Sequence, residues 1–397
     1  MSKKNRDWVK ILLLVYAALA IFASIQSISL GGKQFEDNGP TYTHYNNYLI
    51  FKQSFFHLIN HQDLYLLFPG EQWDLFKYSP TFALFFGLFA ALPDWLGLML
   101  WNLLNALVFY LGLKNLPNLS PKTTLALLLF CGIEMMTSLQ SAQSNALIVG
   151  LILLTFSQLE KRQYLWATLF ILLTVYIKIF GIVAYVIFIF YPKKERLIGY
   201  SLLWGLILLL LPLPVTGVGY LADLYKSWLR LLGEDHTSSV GLSVLGWLQS
   251  WFGFPFSKNS VLLTGMALLV LPLIRVKAYQ HYAFRLNLLA SVLVWIVIFN
   301  HKAESPTFVI AVAGVAIWGF YQQSNPWHWA LFLFALVFTQ LSPTDLFPAG
   351  VREHWVSPYV LKAVPCILIW AKINYELLAD DFSKKHLLLR QLKPNRQ

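Results

Sequence analysis

The stretch VKILLLVYAALAIFASIQSISL, Val9–Leu30, decides which solvent this chain folds in. It is apolar almost throughout and as long as the ~20 residues that carry a helix across a bilayer's hydrocarbon core. It is too long and too uninterrupted for a cleaved signal peptide, and no small-residue cleavage pattern follows it. It therefore reads as a retained helix. Further apolar runs follow at Arg196–Leu211, Val261–Ile274, Phe284–Phe299, Thr307–Phe320 and Trp329–Thr339. Of 397 residues, 57% are hydrophobic and only 12% charged, against roughly 25% charged in soluble domains. Mean hydropathy is +0.57. Hydrocarbon offers the backbone no hydrogen-bond partner, so segments that cross it must be helical. The fold class expected is an all-α, polytopic membrane protein.

The net charge of +11 does not point to nucleic acid, because of where the cations lie. They cluster in short segments between apolar runs: MSKKNRDWVK at the start, EKR (Glu160–Arg162), PKKER (Pro192–Arg196), RVK (Arg275–Lys277) with Arg285, and the tail KKHLLLRQLKPNR. That is the positive-inside distribution. It places both termini in the cytoplasm and the segments Gly31–Tyr78, Thr216–Asn259, Asn300–Ser305 and Ser342–Trp355 outside. One alternation accommodates nearly every cluster, with about 12 crossings. The expectation is a single integral domain over 1–397 in the cell (inner) membrane. An outer loop occupies 31–78 and a basic cytoplasmic tail 377–397.

Two regions resist simple threading. Tyr164–Tyr191 lies between two cytoplasmic clusters, so it must go out and return in fewer residues than two ~20-residue passes need. This predicts two short helices meeting near Lys178, or a re-entrant pair. The segment TSLQSAQSN (Thr137–Asn145) is a polar break inside an apolar stretch, tolerated at that depth only where protein or a wet cavity covers it. In the outer loop, NYLIFKQSFFHLIN (Asn47–Asn60) has the spacing of an amphipathic helix lying in the interface, its apolar side toward the acyl chains. It is either a bracket on the bundle or a wall for a lipid-linked substrate. Pro80, after Tyr78 and Ser79, suits the first turn of the next helix. Cys131 and Cys366 lie in apolar runs without metal-ligand spacing.

Several motifs occur in a characteristic order: DLY (Asp63–Tyr65), KYSP (Lys77–Pro80), LP (Leu92–Pro93), LWNLLNAL (Leu100–Leu107), QSAQSNALIVGLILL (Gln140–Leu154), and the lysine-bearing VYIKIFGIVAYVIF leading into PKKER. This order resembles glycosyltransferase family 87, polytopic transferases of the GT-C type. The resemblance covers roughly Asn47–Arg196 well and Asn287–Pro306 weakly. It implies transfer of a hexose or pentose from a polyprenyl-phosphate-linked donor to a hydroxyl of a lipid or glycan acceptor, with inversion, on the extracytoplasmic face. No cofactor is expected. The family's catalytic aspartate opens the loop helix in a D-x-x-x-Y/F pattern. Here that position is Asn47, with Phe51 as the aromatic. An amide cannot deprotonate a hydroxyl, although it can hydrogen-bond a sugar.

A base must therefore come from elsewhere. Outer-face candidates are Glu36 and Asp37 in FEDNGP, His44, Asp235 and His236 in GEDHTSS, and His301 and Glu304 in NHKAESP. Glu304 and Asp37 are the catalytic candidates. Asn47, His301, Asn145 and Asp235 are candidate sugar or acceptor contacts. Lys178, deep among apolar residues, calls for an anion, for which a lipid phosphate would serve; snorkelling to the interface is the alternative. Lys362 and Arg352 are further phosphate candidates. No HExxH-like metal pattern and no DxD nucleotide-sugar pattern occurs. A second reading keeps the scaffold without the reaction: a non-catalytic binder or translocase of lipid-linked sugars, motivated by Asn47.

Overall fold

A computed structural model of the chain describes residues 3–35, 39–234, 240–253, 256–321 and 326–382. The chain is nearly all-α. It divides into two compact units, residues 1–182 with 193–237, and residues 183–192 with 238–397.

The first unit contains α1 (Lys3–Ser29), a hairpin of β1 (Gly32–Gln34) and β2 (Thr41–Thr43), then α2 (Asn46–Ile59) and α3 (Pro80–Ala90). It continues with α4 (Asp94–Lys114), α5 (Pro121–Gln140), α6 (Asn145–Glu160), α7 (Tyr164–Ile177), α8 (Lys194–Leu210), α9 (Leu213–Thr216) and α10 (Val218–Gly233). Among the described residues four segments are long and apolar enough to cross a membrane: Asp7–Ser29, Asp94–Lys114, Pro121–Gln140 and Lys194–Thr216. Shorter apolar helices accompany them. On α8 the side chains of Ile198, Leu202 and Leu206 stand 60%, 69% and 56% exposed, an apolar row of the kind that meets a membrane or another protein.

Local chemistry explains the helix starts. Ser79 and Ser120 each cap a helix, accepting from Phe82 N and Thr123 N, and a proline follows each at the first helical position, where its missing N–H costs nothing. Helices α4 and α6 meet at small residues. A Cβ on Gly150 would come within 2.5 Å of Val108 O, so only glycine lets the two backbones approach this closely. Polar ties fasten α1 to its neighbours: Tyr16 Oη donates to Leu128 O and Tyr110 Oη to Val9 O. Gln140 Nε2 donates to Gln26 Oε1 at 2.7 Å.

Two sequence expectations change in detail. The loop helix is present as α2, and part of its apolar side packs on protein, while Leu49, Phe55 and Phe56 are half-buried and Ile59 is exposed. Phe51 is fully buried, with its ring 4.9–5.8 Å from those of Tyr78, Phe82, Phe86 and Trp101. Edge-to-face packing of this kind stabilises beyond area burial. His57 is buried against Phe68 and bonded to Glu71 Oε2 at 2.9 Å. The Tyr164–Tyr191 segment does form two short helices meeting at Lys178, but the second, Ile179–Phe190, is a 3-10 helix.

The second unit comprises α11 (Val244–Phe252), α12 (Lys258–Val270), α13 (Tyr282–Ile298), α14 (Phe308–Tyr321), α15 (Pro326–Phe334), α16 (Ala349–Val351) and α17 (Val364–Ala379), with π-helical turns at Ala335–Leu341 and Arg352–Val356. Helices α13 and α14 are apolar and buried nearly all round, the mark of a central helix. Helix α17 is keyed to them by polar bonds. Trp318 Nε1 donates to Glu376 Oε2 at 2.9 Å, and Asn374 Nδ2 to Ser291 Oγ at 3.2 Å.

Candidate active site

The polar break expected at Thr137–Asn145 is a tight turn, residues 141–144, between α5 and α6. Ala142 stands there at φ +51. A helix end leaves backbone groups without partners, and here the protein supplies them. Asn102 Nδ2 donates to Leu139 O at 3.2 Å, and Trp101 Nε1 to Ala142 O at 2.9 Å. On the far side of the turn, Asn105 Oδ1 accepts from Leu147 N at 3.0 Å, capping α6. All three come from the LWNLLNAL segment of α4. Their roles went unread in the sequence. The signal was the spacing: 101 and 105 lie four apart and 102 and 105 three apart, so all lie toward one side of an otherwise apolar helix.

Asn47 reaches the same turn from α2. Its Nδ2 donates to Ser141 O at 2.9 Å. The neighbouring Asn46 ties the loop back on itself, donating to Trp73 O and accepting from Trp73 N, both at 2.8 Å. From another direction comes Lys178, the extended residue at the end of α7. Its Nζ lies 2.9 Å from Asn145 Oδ1 and 3.3 Å from Gln143 Oε1. Asn145 in turn donates to Gln143 Oε1 at 2.7 Å. The ammonium also stands 5.7 Å from the ring centre of Tyr78 and 5.8 Å from that of Phe180, within cation–π range. Asn145 is fully buried and Gln143 is 8% exposed. The structure thus joins Asn47, Asn145 and Lys178 around one turn. The contacts of the ammonium thus include amide oxygens and ring faces.

Helix α2 carries a second polar group. Lys52 Nζ pairs with Asp94 Oδ1 at 2.6 Å. Burial raises the phenol pKa of Tyr45, and the nearby Asp94 carboxylate adds to the effect. Asp63, from the DLY motif, accepts from Tyr65 N at 3.0 Å and from Ser227 Oγ at 3.0 Å.

In the second unit, NHKAESP forms a compact turn ahead of α14. Glu304 is exposed and His301 half-buried. The turn is latched by Leu242 N, which donates to Ala303 O at 2.9 Å, and by Gly241 at φ +54. Lys362, only 3% exposed, donates to Ser305 Oγ at 2.8 Å and lies over the Phe308 ring. The structure thus brings Lys362 onto the same turn as Glu304. Arg352 pairs with Asp345 on the surface. Asp37, Glu36, Asp235 and His236 lie outside the described residues. Among the described residues no group of three or more potential metal ligands occurs.

The model of glycosyltransferase family 87 matches residues 76–344. The matched segment includes the α4 asparagines, the 141–144 turn, Lys178 and the Glu304 turn, and starts C-terminal to Asn47. No curated protein matches the chain.

Proposed function

Because the chain belongs to glycosyltransferase family 87, we propose that it transfers a hexose or pentose from a polyprenyl-phosphate-linked donor to a hydroxyl of a lipid or glycan acceptor. The reaction runs on the extracytoplasmic face of the cell membrane, in a GT-C type fold of about 12 crossings with both termini inside. The observation that carries this reading is Lys178, held by Asn145 and Gln143 on a turn that the matched family segment includes. Its ammonium receives the donor phosphate and stabilises the charge that grows there as the glycosidic bond breaks.

In the transfer, the acceptor oxygen attacks the anomeric carbon from the side opposite the phosphate. The carbon–oxygen bond to phosphate breaks, polyprenyl phosphate leaves, and configuration inverts. The acceptor's proton passes to a carboxylate, for which Glu304 and Asp37 are the candidates. His301 and Asp235 contact sugar or acceptor, and Asn47 does so through Oδ1, because its Nδ2 is engaged by Ser141 O.

The test is sugar transfer from polyprenyl-phosphate-linked donors in membranes bearing the full chain. Lys178→Gln should lower turnover about 10²-fold. Either Glu304→Gln or Asp37→Asn should lower it by 10²-fold or more, roughly. If Lys178→Gln transfers normally, the phosphate assignment fails; if both carboxylate variants do, the base assignment fails. The engaged amide of Asn47 also favours a second reading, a binder or translocase of lipid-linked sugars without transfer. That protein would retain donor yet produce no glycosylated acceptor under any of these conditions.

A further inference from the structure

At one end of the second unit the chain between α12 and α13 forms a recess of about 570 Å³ with the residues that follow α17. Arg275 forms its inner wall. The guanidinium donates to Leu377 O and Asp380 O, both at 2.8 Å, closing the C-terminal end of α17, and lies over the Phe382 ring. Lys277 and His281 also line the recess, as does one acid, Asp381. Lys277 is exposed and has no ion-pair partner among the described residues. Cations therefore outnumber the acid at the mouth.

The rim is apolar in a way water does not reward. Ile274 and Val276, which bracket Arg275, are 71% and 66% exposed. Next to them along the chain, Leu263, Met266 and Val270 of α12 are also exposed. Basic groups beside exposed aliphatic side chains form the arrangement that receives a lipid headgroup with its chains alongside. A soluble anion would find the cations but gain nothing from the rim. We propose that this recess holds the phosphate headgroup of an anionic phospholipid, with its acyl chains along the exposed face of α12. The segment carrying it, RVK, is the one the charge distribution assigns to the cytoplasmic side, where anionic lipids enrich. The recess shares no residue with those assigned to sugar transfer, so either reading can fail alone.

The test uses the full-length protein in neutral detergent, with native mass spectrometry titrating one-to-one lipid adducts. Phosphatidylglycerol should bind more tightly than phosphatidylcholine of the same chain length. Lys277→Gln should weaken phosphatidylglycerol about fivefold and leave phosphatidylcholine unchanged. Val276→Asp should weaken it as well, and sn-glycerol 3-phosphate at equal concentration should not displace it. Equal affinity for the two lipids, or unchanged affinity in Lys277→Gln, overturns the proposal. Displacement by glycerol phosphate, or full affinity in Val276→Asp, overturns the lipid in favour of a soluble phosphate. Lys226→Gln, at another exposed lysine, controls for charge in general.

Discussion

At the scale of single residues, Asn47 has a job that an aspartate could not do. A carbonyl oxygen only accepts, so the group facing Ser141 O at 2.9 Å must be a donor. Asn47→Asp replaces it with an acceptor, setting two oxygens against each other. We expect a loss of about 1–3 kcal/mol, read as a lower melting temperature, and no gain in sugar transfer. A rise in transfer would show that the carboxylate swings clear of the turn and acts as base. Gly241 makes a similar point about backbone. It stands at φ +54, and a Cβ would meet His301 O at 2.4 Å. Gly241→Ala must adopt a left-handed conformation costing about 1–2 kcal/mol and also displace the turn that carries His301 and Glu304. Both the melting temperature and the transfer rate should fall, whereas Gly350→Ala, with open space around it, should change neither.

Among the helices, the decisive element is α2. It binds the first unit through the ring of Phe51, around which four other aromatic rings converge. Phe51→Ala should cost about 3–5 kcal/mol and loosen the loop helix, measurable as faster proteolysis between Asn47 and Glu71. Phe51→Leu should recover most of the loss, since shape and apolarity rather than a polar group are at stake. The broken pair α5–α6 shows how a polar turn is kept at depth. Three side chains of α4 and one of α2 bond the backbone of the turn and its flanks, so the neighbouring Asn145 is held by elements outside the turn. Preorganisation of this kind is what a charge-stabilising site requires.

For the molecule as a whole, charge and exposure set two expectations. Gln62 and Lys277 are both exposed and belong to segments assigned to opposite sides of the membrane. In intact cells a membrane-impermeant maleimide should label Gln62→Cys directly, and Lys277→Cys only after permeabilisation; the reverse order would invert the topology. Stability should also depend on alkaline pH. Burial, helped by the Asp63 carboxylate, pushes the Tyr220 phenol up to about 12, whereas in an unfolded chain a tyrosine ionises near 10. The fold holds the proton that the unfolded chain releases, so stability is fully present below pH 10 and is lost as pH rises toward 12. Melting temperatures across that window should decline, and less steeply in Tyr220→Phe.

Composition and periodicity were enough to establish that the chain is helical and lives in lipid, because hydrocarbon leaves the backbone few solutions and apolar length is read directly from order. They also located the break at 137–145, the junction at Lys178 and the motif order of the family, since each is a local departure from an apolar background. The direction in which α2 buries its apolar face was not legible. An amphipathic pattern says that one side avoids water, and lipid and protein serve equally well. The three side chains of α4 that complete the 141–144 turn, the donor role of Asn47, and the approach of Lys362 to Ser305 are partnerships between residues roughly 40 to 90 positions apart. Only the packed chain decides those, because a hydrogen bond depends on distances that sequence separation does not encode.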